Sequence, residues 1–161
     1  MYSLVFSKEE IAKCVERLAL DLAPILSEET VAIPVLKGGM FFAADLLRAL
    51  PYSVYISPVT VSSYKENEVQ GKVKISGLED VEGKQLCLID DICDSGESFL
   101  ALKEAITGAK SVVTVSLIKR TGSPFSPDYV GFEYKGDGWL IGYGMDDNGK
   151  NRNLDGIYVR N

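Results

Sequence analysis

The chain contains no histidine. That absence excludes Ser-His-Asp and Cys-His nucleophilic arrangements and every histidine-containing metal site, so acid–base chemistry falls to Asp, Glu, Lys or Tyr. Cysteine is scarce. Cys14, Cys87 and Cys93 are odd in number and scattered, which argues against a disulfide framework and for a reducing, cytoplasmic compartment. No apolar run approaches the length of a membrane span, and Met1 to Phe6 lacks the basic start and long apolar stretch of a secretory leader. Basic residues are outnumbered, 17 against 23 acids, for a net charge of −6. A general nucleic-acid-binding surface is therefore not expected, and an anionic ligand has to be met by local groups. No G-x-x-x-x-G-K-[ST] occurs, which disfavours a P-loop ATPase. Repeats, linkers and low-complexity tracts are also missing, and residues 1–161 suit one domain that buries roughly 70% of the surface its unfolded chain exposes.

What the chain does have is concentrated between Leu86 and Ser98. Gln85 to Asp90 is an apolar run of the length of a buried strand, ending in the adjacent carboxylates Asp90 and Asp91, with a third, Asp94, three residues on. Ser95, Gly96, Glu97 and Ser98 then open a helix that runs through Phe99, Leu102 and Ile106 to a C-cap at Gly108. Ligands of open parallel sheets bind outside the carboxyl ends of the strands, which predicts Asp90 and Asp91 at the rim of a crevice. The free amides and positive dipole end of the following helix suit a phosphate. Acids beside an anion cradle make sense for a ligand with hydroxyls for the carboxylates and a phosphate for the amides, that is, a phosphorylated sugar.

The remaining elements frame this junction. Ser7-Lys8-Glu9-Glu10 is a capping box, and Ile11, Cys14, Val15 and Leu18 follow at helical spacing. Val31 to Leu36 is a short apolar strand and Met40 to Leu50 an apolar helix, with Lys37-Gly38-Gly39 between them as a second strand–loop–helix junction with a local positive charge. Tyr52 to Ser62 alternates like a strand with one covered face, and the polar stretch Ser63 to Lys74 is the candidate mobile loop. Ser111 to Ile118 is a valine-rich strand ending in Lys119 and Arg120. Tyr129 to Glu133 and Trp139 to Tyr143 are predicted as two short strands around a Lys135-Gly136-Asp137-Gly138 turn, followed by a glycine-rich tail holding Asp146 and Arg152. The single tryptophan, beside glycine-rich polar residues, suits the aromatic wall of a pocket.

Five segments in order, Val35-Leu36-Lys37-Gly38-Gly39, Val61-Ser62-Ser63-Tyr64, Ile89-Asp90-Asp91-Ile92-Cys93-Asp94-Ser95-Gly96, Asp128 to Glu133 and Arg152-Asn153-Leu154, resemble the type I phosphoribosyltransferases, and within them the hypoxanthine-guanine members. The resemblance implies an α/β fold with a central parallel sheet flanked by helices and a small hood from the chain termini. It implies transfer of the 5-phosphoribosyl group from phosphoribosyl pyrophosphate (PRPP) to a 6-oxopurine base, with Mg2+ as cofactor, no nucleic-acid or membrane partner, and a homodimer or homotetramer.

Residue by residue, the resemblance implies that Asp90 and Asp91 hold the ribose hydroxyls and that Asp94, Ser95, Gly96, Glu97 and Ser98 hold the 5'-phosphate. Lys37, Gly38 and Arg152 would meet the diphosphate, with a cis peptide bond at Lys37-Gly38, and Asp146 would bind the magnesium. Asp94 would also be the acid–base group near purine N7. Lys119 would donate to the 6-oxo group, a charge-assisted contact worth about 1.5 to 3 kcal/mol. Trp139 would stack on the base, worth about 1 to 3 kcal/mol, and Leu140 would offer backbone groups to its edge. Ser63-Tyr64 would open a lid that excludes water. Glu97 at the mouth of the phosphate loop either complements the helix dipole or repels the ligand. A regulator that binds PRPP without turnover is the alternative reading.

Overall fold

The computed structural model describes residues 1–64 and 72–160. A short strand β1 (Tyr2–Phe6) leads into helix α1 (Lys8–Leu22). The capping box forms as the sequence predicts: Ser7 Oγ accepts from the Glu10 amide at 3.2 Å and Glu10 Oε2 from the Ser7 amide at 2.8 Å, an arrangement worth about 1 kcal/mol. The stripe Ile11, Cys14, Val15, Leu18 and Leu22 is buried against the rest of the protein.

The main sheet is built from β2 (Val31–Leu36), β3 (Tyr55–Ile56), β4 (Val59–Tyr64), β5 (Lys72–Ser76), β6 (Gln85–Cys93), β7 (Ser111–Arg120) and β8 (Tyr129–Tyr134). Its order is β5-β4-β2-β6-β7-β8, with β3 also paired to β2. Every pairing is parallel except β4 with β5. Helix α2 (Met40–Ala49) follows β2, and α3 (Glu97–Ala105) follows β6. The strand predicted over Tyr52 to Ser62 is two strands: β3 pairs with the start of β2 and β4 with its end. Pro58 lies at the break, where its missing N–H cannot continue the ladder.

Strand alternation distributes β6 between two cores. Cys87 and Ile89 pack with Leu18, Phe42 and Leu46 under α1 and α2, whereas Leu86 and Leu88 pack with Phe99 and Leu102 under α3. The three cysteines are buried free thiols. Burial pushes all three thiols up, Cys87 to about 12, so none is poised as a nucleophile.

Tyr129 to Glu133 and Trp139 to Tyr143 do not fold onto one another. β8 is the edge of the main sheet, while β9 (Trp139–Ile141) pairs with β10 (Ile157–Arg160), which pairs in turn with β1. The 135–138 turn thus crosses from one sheet to the other. The cause is competition for partners, because β8 is taken by β7 over Val115 to Arg120. The resulting three-stranded antiparallel sheet, drawn from both ends of the chain, is the hood.

Candidate active site

β6 does not end at Asp90 as the apolar run predicts. It continues to Cys93, because Ile92 and Cys93 stay in register with Ile118 and Lys119 of β7. Asp90 and Asp91 are therefore strand residues, each only 7% exposed, and their carboxylates lie close enough to share a hydrogen bond. Beyond that contact Asp90 borders the start of α3, and Asp91 borders Gly38 and the tail.

Each carboxylate accepts one nearby backbone amide: Asp91 N–H donates to Asp90 Oδ1 and Ile92 N–H to Asp91 Oδ1, both at 2.9 Å. Burial pushes both acids up from the ordinary carboxylate value; the negative charge of Asp91 and the hydrogen bond between the two carboxyls drive Asp90 further up, while that bond, the neighbouring amides and, least, the Arg152 guanidinium oppose the rise at Asp91. A raised acid makes the folded protein hold protons that the unfolded chain has released, so stability falls as pH rises through that window. Asp90→Asn removes this cost. Its melting temperature at pH 8 is expected to exceed that of the parent by about 2 to 4 °C, the shift that about 1 kcal/mol produces in a domain of this size. The gain should fade below about pH 4, where both proteins are neutral at this position. Equal melting curves at pH 8 would show that the charge is fully compensated.

On the Asp90 side, a cavity of about 200 Å³ is lined by Asp90, Asp94, Ser95, Gly96, Glu97 and Ser98. The first helical bond of α3 runs from Leu100 N–H to Gly96 O at 3.0 Å, so the preceding amides have no intrahelical acceptor; Glu97 N–H turns back to Ser95 Oγ at 3.3 Å, and those of Ser98 and Phe99 offer donors to an anion. Gly96 has φ of 79°, and a Cβ there would overlap Phe125, whose ring stacks on Phe99 at 5.3 Å. Only glycine fits this turn.

On the Asp91 side, two loops converge on the strand. The cis bond lies at Leu36-Lys37, one residue before the expected Lys37-Gly38, at the point where β2 leaves the sheet and Gly39 N–H turns back to Val35 O at 2.9 Å. Lys37 is exposed. A Cβ on Gly38 would overlap Asp91 Oδ2, and a Cβ on Gly144 would overlap Gly38 O. The acid, the β2 loop and the tail loop are thus in contact through two glycines.

The tail is held by its own polar groups. Arg152 Nη1 donates to Gly144 O at 2.6 Å and Nη2 pairs with Asp146 Oδ1 at 2.8 Å, while Asp146 Oδ2 accepts from Gly149 N–H at 2.7 Å. Trp139 Nε1 donates to Asp146 O at 2.7 Å. Tyr143 OH donates to Asp45 on α2, and burial together with that bond pushes its phenol up. A second cavity, again about 200 Å³, is lined by Asp91, Asp94, Arg120, Trp139, Leu140, Asp146 and Arg152.

The structure therefore brings most of the sequence-predicted residues into two adjoining cavities that share Asp94. Lys119 is not on the lining of either; its Nζ donates to Ser126 Oγ at 3.0 Å. Arg120 takes the lining position beside Asp94. The signal was present as the Lys119-Arg120 pair ending β7, but neighbouring strand residues point to opposite faces and the register was needed to choose. Ser63 and Tyr64 end β4, and Lys72 to Lys74, expected as loop, instead open β5 and pair with β4; residues 65–71 of the expected lid lie outside the described residues. Among the described residues no group of three or more acidic or thiol side chains is placed to cage a metal. One or two carboxylates together with substrate phosphates are the usual Mg2+ environment, and Asp91 and Asp146 on one cavity fit it.

A parallel sheet whose central strand ends in buried acids, with an amide cradle on one face and a cationic tail on the other, defines a protein that handles phosphorylated sugars. Residues 5–148 match the phosphoribosyl transferase domain, and the chain belongs to that family. It is 34% identical to hypoxanthine-guanine phosphoribosyltransferase of Aquifex aeolicus (97% of this chain, 93% of the relative) and 36% identical to that of Bacillus subtilis (97% and 91%). Among solved structures it superposes on a hypoxanthine-guanine phosphoribosyltransferase of Bacillus anthracis with a TM-score of 0.89 at 33% identity, covering 99% of this chain and 98% of the other. Hypoxanthine phosphoribosyltransferase of Trypanosoma cruzi, in complex with the product IMP, follows at TM-score 0.85 and 29% identity (97% and 92%).

Proposed function

We propose that the protein transfers the 5-phosphoribosyl group of PRPP to hypoxanthine or guanine, giving IMP or GMP and pyrophosphate in purine salvage. The observation that carries this reading is the meeting of Asp91, Gly38 and Gly144 between an anion cradle and a tryptophan-walled cavity. It supports a sugar at the acids, a 5'-phosphate at the α3 amides, a diphosphate at Lys37, Gly38 and Arg152, and a base against Trp139 and Leu140.

In that arrangement the purine nitrogen attacks the anomeric carbon from the face opposite the departing pyrophosphate. Asp90 and Asp91 orient the ribose through its hydroxyls, and Arg152 and the β2-loop amides stabilise charge building on the leaving group. Asp94 exchanges a proton with purine N7. Mg2+, when bound at Asp146 with the diphosphate, supplies further neutralisation of that charge. Lys119 would reach the 6-oxo group after giving up Ser126. Among the described residues no helix is long and apolar enough to cross a membrane. The buried free thiols support a cytoplasmic setting, and a homodimer or homotetramer belongs to the same reading.

Incubation with Mg-PRPP and single bases is expected to release pyrophosphate with hypoxanthine or guanine and little with adenine or uracil. PRPP binding without turnover on any purine would overturn the proposal in favour of a regulator.

A further inference from the structure

We propose that Arg120 is a positioning residue that fixes the acid–base carboxylate of Asp94 relative to the wall that holds the base, an inference that rests on the function proposed above. Arg120 ends β7, and its side chain is only 14% exposed. Its Nε donates to Asp94 Oδ2 at 3.1 Å, on the loop after β6. The two other nitrogens of the fork reach the inter-sheet turn: Nη1 donates to Gly136 O at 2.5 Å and Nη2 to Gly138 O at 2.8 Å, immediately before Trp139. The guanidinium also lies over the Tyr134 ring, 5.3 Å from its centroid.

These contacts join parts that the backbone leaves separate. Asp94 follows a strand of the main sheet, whereas Trp139 begins a strand of the hood. The turn between β8 and β9 is the covalent link between the two sheets at this point, and Arg120 grips both of its glycine carbonyls while holding Asp94 from the other side. The Asp94 side chain is 66% exposed, so the ion pair by itself adds little stability. Its value is geometric. A planar guanidinium with donors in three fixed directions can hold all three acceptors at once, which a lysine ammonium at the same position cannot do. Arg120 thus sets the spacing between the group that moves the proton and the ring that stacks on the base.

The test uses Arg120→Met and Arg120→Lys in the full chain, with Asp94→Asn alone and combined with each. At saturating Mg-PRPP both arginine variants are expected to raise the hypoxanthine KM and lower kcat, each by roughly tenfold or more, while the PRPP KM stays within about twofold. Lysine, keeping the charge but losing the fork, should not restore the parent values. Adding Asp94→Asn should cost much less in either arginine variant than in the parent, the non-additivity of residues that act as a unit. Emission of the sole tryptophan, Trp139, should lose its response to base binding in both variants. Parent-like kinetics in Arg120→Lys, or effects of Arg120 and Asp94 that simply multiply, would overturn the proposal. If the methionine variant does not fold, the lysine variant decides alone. Absence of turnover in the parent with every purine would instead sink the function on which the inference rests.

Discussion

Replacing Asp94 with asparagine is expected to lower kcat by about 10²- to 10⁴-fold, the range that a positioned acid–base group contributes, while PRPP affinity changes by only a few-fold. The reason is its place in the structure. Asp91 and Asp146 line the tryptophan-walled cavity, and Asp90 and Glu97 line the phosphate cavity; among the described residues Asp94 is the acid common to the two. Asp90 and Asp91 are tied to neighbouring amides inside a strand, where they hold hydroxyls well but cannot swing. Asp94 lies just beyond β6 and is open to the ligand space on one side. Asparagine keeps the size and most of the hydrogen bonding but cannot take up a proton, so loss should appear in kcat at saturating substrates rather than in PRPP binding. Unchanged turnover in steady-state assays with hypoxanthine would remove Asp94 from the acid–base role.

Gly144→Ala is expected to damage both stability and activity. Gly144 has φ of 106°, where an L side chain is strained, and its Cβ would be driven into the Gly38 carbonyl. Gly38 cannot retreat, because Asp91 packs directly against it, with the Asp91 Cγ 2.8 Å from where a Gly38 Cβ would lie. Backbone strain and overpacking together should cost about 2 to 4 kcal/mol, lowering the melting temperature by roughly 5 to 15 °C. Displacing the β2 loop and the Arg152 contacts should also lower kcat/KM for PRPP by about 10²-fold. Gly83→Ala is the control. Gly83 has φ of 69° with nothing within 4 Å of the added methyl, so it should lose only about 1 kcal/mol and keep the parent kinetics. A Gly144 variant that matches this control in both measurements would show that Asp91, the β2 loop and the tail loop are not in obligatory contact.

Local chemistry made much of this legible in advance. The Ser7 capping box, the apolar strand over Val31 to Leu36 and the glycine-opened start of α3 are set by interactions among near neighbours in the chain, and they formed as expected. The errors lie where partners are distant. The strand through Asp90 is longer than its apolar run because β7 supplies acceptors and donors as far as Lys119. The two segments flanking the 135–138 turn belong to different sheets because β7 and β10 compete successfully for them. Arg120 and not Lys119 lines the tryptophan-walled cavity for the same reason: β-strand register, not residue type, decides which of two adjacent cations meets it.

By itself the sequence determined the chemistry that is available: acids without histidine, an amide cradle with hydroxyls, two glycine-containing junctions and a tail holding Asp146 and Arg152. These follow from residue type and short spacing, which need no tertiary partner. Only the tertiary structure decided how the groups are shared out. It set Asp90 and Asp91 side by side on two adjoining cavities, put Gly38 between Asp91 and Gly144, and let Arg120 bind Asp94 to the base wall across two sheets. Those contacts join residues far apart in the chain, and packing of the sheets and hood selects them.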